Sequence, residues 1–160
     1  MHSTTATQKT VDGVSMKDWR GGRAASGNII PSSTGAAKAI GKVVPSVNGK
    51  LQGHAQRVQV PDGSVTELTT VLNTETTADE INAAFKAAFS DTDYYGYNDE
   101  GIVSSDILGD THGGVFDPTQ TDVNTIDGVT LARTVSFYDN EYGFTSNMIR
   151  TLLYFAEISE

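Results

Sequence analysis

Thr77-Ala78-Asp79-Glu80, running on to Ile81, Ala84, Phe85, Ala88 and Phe89, is the stretch that leaves this chain the least freedom. A hydroxyl residue followed three places later by glutamate is the reciprocal capping pattern of a helix N-terminus. Apolar residues at i, i+3, i+4, i+7 and i+8 then draw a single apolar stripe. Such a helix has to bury that stripe, its two aromatics included, against another layer. The sequence supplies one: short strands are expected over residues 94–97, 102–108, 114–116, 123–126 and 129–138, the last two joined by Asp127-Gly128, a strong hairpin signal. Upstream, residues 54–60 and 64–72 read as strands around Pro61-Asp62-Gly63, whose composition suits a tight connection. Helices laid on one face of a mixed, mainly antiparallel sheet make an α+β fold, which is the expected class.

A second organising stretch is Ile29-Ile30-Pro31-Ser32-Ser33-Thr34-Gly35-Ala36-Ala37-Lys38-Ala39-Ile40, read as strand, turn and helix, with Pro45 ending the helix. The first turn of that helix offers unpaired N–H groups, and Thr34-Gly35 puts a hydroxyl and a backbone without a side chain beside them. Two readings stand: a seat for a phosphate, or a Ser32, Ser33 or Thr34 cap.

The balance of charge bears on this choice. The net charge of −9 argues against a general nucleic-acid binder, which needs clustered Lys and Arg. Within that average, residues 1–60 hold eight of the eleven basic residues against two acids, and residues 61–160 hold three against eighteen. A basic segment that carries a helix N-terminus suits a small anion. There is no cysteine, so no disulfide, thiolate metal site or cysteine nucleophile can come from these residues. No apolar run approaches the roughly 20 residues that span a bilayer, and no leader opens the chain, so a soluble, cytoplasmic protein without membrane partners is expected.

Residues 1–30 sustain no periodicity and read mostly as a long loop, with Trp19 expected to anchor it. Residues 145–158 read as a closing helix whose apolar stripe is wide for a terminal element, as though it needs a further surface. The sequence contains no G-x-G-x-x-G, no P-loop and no metal-spaced histidines. Of three histidines, His54 sits in a strand and His112 in a turn. His2, beside hydroxyl and amide residues and the basic loop, is the best acid/base candidate.

His2-Ser3-Thr4-Thr5-Ala6-Thr7-Gln8, Asp18-Trp19-Arg20-Gly21-Gly22-Arg23, Ile30-Pro31-Ser32-Ser33-Thr34-Gly35-Ala36-Ala37-Lys38, Asn48-Gly49-Lys50-Leu51 and Tyr138-Asp139-Asn140-Glu141, in that order, closely resemble phosphorylating glyceraldehyde-3-phosphate dehydrogenase. The resemblance runs from residue 2 to the C-terminus and corresponds to the second half of that enzyme. It implies a catalytic domain over residues 1–140 and, over 141–160, a helix that packs on an NAD-binding Rossmann domain preceding this chain. That earlier half would also carry the nucleophilic cysteine. By matching position, the resemblance makes His2 the base that activates the thiol. Thr5 and Arg57 would hold the substrate phosphate, Thr34 and Gly35 the attacking inorganic phosphate, and Asn140 the nicotinamide amide. It further implies NAD as cofactor, glyceraldehyde 3-phosphate and phosphate as small-molecule partners, and a homotetramer. The pattern departs at Val14, where Pro is common, and at Phe137 and Phe144, conservative in bulk. The other class of function weighed is a non-catalytic phosphate-binding or interaction module that keeps the anion sites.

Overall fold

The Pro61-Asp62-Gly63 turn falls where the chain divides into two units, Met1–Pro61 and Asp62–Glu160, in a computed structural model that describes residues 1–159. Gly63 sits at φ +82°, and a Cβ there would lie 2.2 Å from the Ser104 carbonyl oxygen, so only glycine fits. The strands on either side of this turn do not pair with each other. Each joins a different sheet, so the turn separates units rather than closing a hairpin.

In the first unit, β1 (Ile30–Ser33) pairs antiparallel with β2 (His54–Arg57), from Ile30 opposite Arg57 to Ser33 opposite His54. His2 adds a parallel bridge to Arg57 on the other edge, its N–H reaching Gln56 O at 2.9 Å and its carbonyl accepting from Val58 at 3.0 Å. The helix α1 (Ala36–Val43) follows β1 and stops ahead of Pro45, as its sequence requires. Buried Ile30 and Ser3 lie under this small arrangement.

Residues 9–25 form an irregular excursion closed at its base by a Lys9–Ala24 bridge and by the Asp12 carboxylate, which accepts from Ala24 N at 2.7 Å and Arg23 Nε at 3.0 Å. Those bonds, the Ala24 N–H foremost and then Arg23, hold the Asp12 carboxyl below its ordinary pKa. Trp19 anchors nothing here. It is 80% exposed, so the expectation that it anchors the loop is corrected: the Lys9–Ala24 bridge and Asp12 close its base instead.

The second unit is built on the longest strand, β7 (Val129–Tyr138), preceded by β3 (Ser64–Leu72), β4 (Gly96–Tyr97), β5 (Val115–Phe116) and β6 (Asp122–Ile126). β7 pairs antiparallel with β3 along nine residues on one edge and with β6 and β5 in turn on the other. β4 joins β5 in parallel. The mixed, mainly antiparallel sheet is as expected, with the β1–β2 pair as a separate small sheet. Asp127 (φ 50°) and Gly128 (φ 78°) make the predicted hairpin between β6 and β7.

Between β3 and β4 runs α2 (Ala78–Phe89), with both bonds of its capping box formed: Thr77 Oγ1 accepts from Glu80 N at 3.2 Å and Glu80 Oε2 from Thr77 N at 2.9 Å. Phe85 stacks on the buried Phe116 ring at 4.2 Å, which lays α2 over the sheet face that also carries buried Thr130 and Ala132. Phe85 and Phe89 are half-buried, and Ala84 and Ala88 exposed. The stripe is thus only partly covered, because the sheet beneath it is short at β4 and β5. The opposite face leaves Val71 and Leu131, which share a rung, open to solvent.

Residues 102–108 are not a strand. Ser104–Ile107 form a 3₁₀ turn in which the Asp106 carboxylate accepts from Val103 N at 2.8 Å, between left-handed Gly101 and Gly109. Ser-Ser-Asp supplies local acceptors that outcompete a ladder there. The last helix, α3 (Tyr142–Glu157), begins three residues earlier than its apolar pattern suggests, because the Asp139 carboxylate caps it. Among the described residues no helix is long and apolar enough to cross a membrane.

Candidate active site

One polar cluster of the first unit joins residues 55 apart in sequence. The parallel bridge sets His2 beside Arg57, and Arg57 Nη1 lies 2.7 Å from His2 Nδ1 and 3.2 Å from the Ser3 carbonyl oxygen. His2 Nδ1 is also 2.9 Å from that same carbonyl. These two contacts of Nδ1 exclude each other as hydrogen bonds. Guanidinium has donors only, so Nδ1 facing Arg57 must be unprotonated and the neutral ring carries its proton on Nε2; Nδ1 facing Ser3 must be protonated, which leaves the lone pair on Nε2. The two contacts therefore belong to different tautomers, one with the proton on Nε2 and one with the lone pair there.

Arg57 is itself incompletely satisfied. Its Nε is buried and takes no hydrogen-bond partner among the described residues. A buried cationic donor left open is expensive, and an anion arriving at the guanidinium would remove the cost. Thr5 sits three residues from His2, where Gln8 Oε1 accepts from both its N–H at 2.8 Å and its hydroxyl at 3.2 Å. It lines a cleft of about 400 Å³ with Thr4, Gln8, Lys9, Ser26 and Gln59.

Thr34 and Gly35 lie elsewhere in the same unit. Thr34 follows Ser33, four residues along from the Ile30–Arg57 rung, or about 13 Å of extended chain. Gly35 is the N-cap of α1, no side chain caps the helix in the usual way, and the Thr34 hydroxyl accepts from Ala36 N at 3.2 Å. Of the two readings of this turn, a Ser32 or Ser33 cap is absent and Thr34 satisfies one N–H of the first turn. A Cβ at Gly35 would meet nothing within 4 Å, so packing inside the unit gives no reason for glycine there. The structure thus brings His2 and Arg57 together, keeps Thr5 on the same segment as His2, and places Thr34–Gly35 at the far end of the strand pair.

Asn140 belongs to the second unit, at the exit of β7. Ser64, 2% exposed, donates through Oγ to Asn140 Oδ1 at 2.5 Å, and Asp62 Oδ1 accepts from Asn140 N at 3.3 Å and from Gly63 N at 2.6 Å. Beside it Asp139 is buried. Burial pushes its carboxyl up, but N–H donors from Gly109, Tyr142 and Glu141, together with the neighbouring Asp62, more than offset that and hold it below the ordinary carboxylate range. Oxygens of Asp62, Asp139 and Glu141 fall within 4.8 Å of one another. Those of Asp139 and Asp62 are already accepting backbone N–H groups, which accounts for the grouping without an ion. His54 is exposed, and His112 contacts Asp110 through Nδ1 at 2.7 Å.

A family model described as glyceraldehyde 3-phosphate dehydrogenase, C-terminal domain, matches residues 1–140. Glyceraldehyde-3-phosphate dehydrogenase of Lactobacillus delbrueckii subsp. bulgaricus is 56% identical over 159 residues, covering 99% of this chain and 46% of that protein. The chain belongs to the glyceraldehyde-3-phosphate dehydrogenase family. The dehydrogenases of Streptococcus pyogenes serotype M1 and of Streptococcus dysgalactiae subsp. equisimilis are each 52% identical over 161 residues, with 100% of this chain and 47% of theirs covered. The chain spans about half the length of these curated relatives.

Within this dehydrogenase domain, sequence reading passed over two groups that touch the candidate residues. Ser3 was visible only as one of several hydroxyls, yet its carbonyl is the alternative partner of His2. Ser64 looked like an ordinary first residue of a strand. Its signal was the register itself, since Ser64 opposite Tyr138 sets it two residues from Asn140.

Proposed function

We propose that this chain is the catalytic part of an NAD-dependent, phosphorylating glyceraldehyde-3-phosphate dehydrogenase, a cytoplasmic homotetramer that converts glyceraldehyde 3-phosphate and inorganic phosphate to 1,3-bisphosphoglycerate. The contact between Arg57 and His2, with Arg57 Nε left open, carries this reading. Substrate phosphate engages Arg57 and Thr5 and draws the guanidinium from His2, because charged acceptors are stronger partners than a neutral imidazole. Nδ1–H then donates to the Ser3 carbonyl, and Nε2 takes the proton of a thiol contributed by residues outside this chain. Thr34, Gly35 and the first turn of α1 hold the second phosphate, using backbone N–H groups and the positive helix end.

The amide of Asn140 suits a nicotinamide carboxamide, since each presents a donor and an acceptor in one plane, and Asn140 is held in place by Ser64 and Asp62. NAD, when bound, accepts the hydride. The relatives carry the dehydrogenase name throughout, so a non-catalytic module is not favoured.

The test joins these 160 residues to the N-terminal half of the L. delbrueckii relative and follows NADH formation. Activity dependent on both glyceraldehyde 3-phosphate and phosphate is expected. Arg57→Ala should raise the KM for glyceraldehyde 3-phosphate by about a hundredfold, the loss of a charged, partly buried contact. A folded chimera that forms no NADH, or an Arg57→Ala variant with unchanged KM, would overturn the proposal.

A further inference from the structure

In the second unit, Asn140 is the one proposed contact to cofactor, and its side chain does not orient itself. It leaves β7 immediately after Asp139, where the backbone turns into α3, and a side-chain amide on such a turn can rotate about two bonds unless something holds it. The structure shows what holds it. Ser64 opens β3 in register with Tyr138, which places its hydroxyl beside the Asn140 side chain. The Oγ to Oδ1 distance is 2.5 Å, at the short end for a hydroxyl donating to a carbonyl, and the donor Ser64 is 2% exposed. Asp62 fixes the backbone of the same residue through the Asn140 N–H, while Gly63, which no other residue can replace, sets the spacing between the Asp62 and Ser64 contacts.

We propose that Ser64 is a positioning residue for Asn140: its hydroxyl clamps the amide oxygen and so turns the amide nitrogen toward the nicotinamide side. This rests on the reading of Asn140 given above. In this role Ser64 acts through Asn140 and is not itself assigned a contact to cofactor or substrate. Its removal should therefore act on cofactor affinity and leave both phosphate sites alone, since Thr5, Arg57, Thr34 and Gly35 belong to the other unit.

The experiment uses the active chimera and measures the NAD dissociation constant by calorimetry, with KM values for glyceraldehyde 3-phosphate and phosphate, for Ser64→Ala, Asn140→Ala and the double variant. Asn140→Ala and Ser64→Ala should each weaken NAD about tenfold, the usual worth of one oriented hydrogen bond. The double variant should be no weaker than Asn140→Ala alone, because the clamp has nothing left to hold. KM for both phosphate-bearing substrates should stay within about twofold. If Asn140→Ala weakens NAD and Ser64→Ala does not, the positioning role fails while the reading of Asn140 stands. If Asn140→Ala leaves NAD binding unchanged, that reading fails and the inference with it. Additive losses, or a Ser64→Ala loss spread equally over all three ligands, would mark a structural effect and overturn the inference. Ser64→Gly, which removes the same hydroxyl, takes the place of Ser64→Ala should the alanine variant not fold.

Discussion

Asp139 shows how much one buried carboxylate can organise. It accepts from Gly109 N at 2.9 Å, Glu141 N at 3.0 Å and Tyr142 N at 2.6 Å, tying the 109–113 loop to the start of α3. Because these donors, against the opposing effect of burial, leave its pKa below the unfolded value, the stabilisation is complete above the ordinary carboxylate range near pH 4 and is lost as pH falls through the lowered value. Thermal melts from about pH 6 down to about pH 3 should therefore show stability falling on the acid side, with a shallower fall in Asp139→Asn. The variant should also lose about 1–3 kcal/mol at neutral pH, since an amide replaces one of the accepting oxygens with a donor facing donors. Parallel acid profiles for the two proteins would refute this account. Gly63→Ala offers a steric counterpart: the added carbon meets the Ser104 carbonyl at 2.2 Å on a backbone already at φ +82°, and a loss of at least about 2 kcal/mol is expected by denaturant titration.

At the scale of elements, what could be read in advance was what short-range chemistry determines. The capping box, the β6–β7 hairpin and the full lengths of β3 and β7 follow from neighbouring residues, and each stands where the pattern put it. What could not be read depended on distant partners. Residues 102–108 have strand-like apolar positions, yet Asp106 folds them back locally, and Trp19 has the composition of an anchor with nothing in its unit to grip. The same holds for the site. Thr34-Gly35 was legible as a helix start and His2 as an acid/base candidate, but the His2–Arg57 contact comes from a parallel bridge across 55 residues that no periodicity reveals, and the resemblance alone pointed to Arg57. The capping box gives this scale its prediction. Thr77→Ala removes the acceptor for Glu80 N and should lower stability by about 1 kcal/mol, with fraying confined to the first turn of α2, visible as faster amide exchange at Asp79, Glu80 and Ile81. Equal acceleration across the whole helix would indicate that the cap is not what holds its end.

Over the whole molecule, the chemistry assigned to this chain and the groups it contains do not match. It brings an acid/base imidazole, an open guanidinium and a helix N-terminus, but among 160 residues there is no thiol to attack an aldehyde. The apolar residues are relevant too: Leu152, Leu153, Tyr154, Phe155 and Ile158, in and just after α3, are each 58–64% exposed, a contiguous patch of the kind that marks an interaction surface. On the proposed reading, a second body brings the cysteine and covers α3. The purified 160-residue polypeptide should accordingly form no NADH from glyceraldehyde 3-phosphate, NAD and phosphate, whatever the pH, because without a thiol the aldehyde carbon has no covalent anchor for the acyl group. The chimera with the relative's N-terminal half should be active and should lose that activity on alkylation of its thiol. The same chimera should bind less of an apolar dye than the isolated chain, as the α3 face becomes covered. NADH production by the polypeptide alone would require a nucleophile other than sulfur and would overturn the assignment of His2 as base to a thiol.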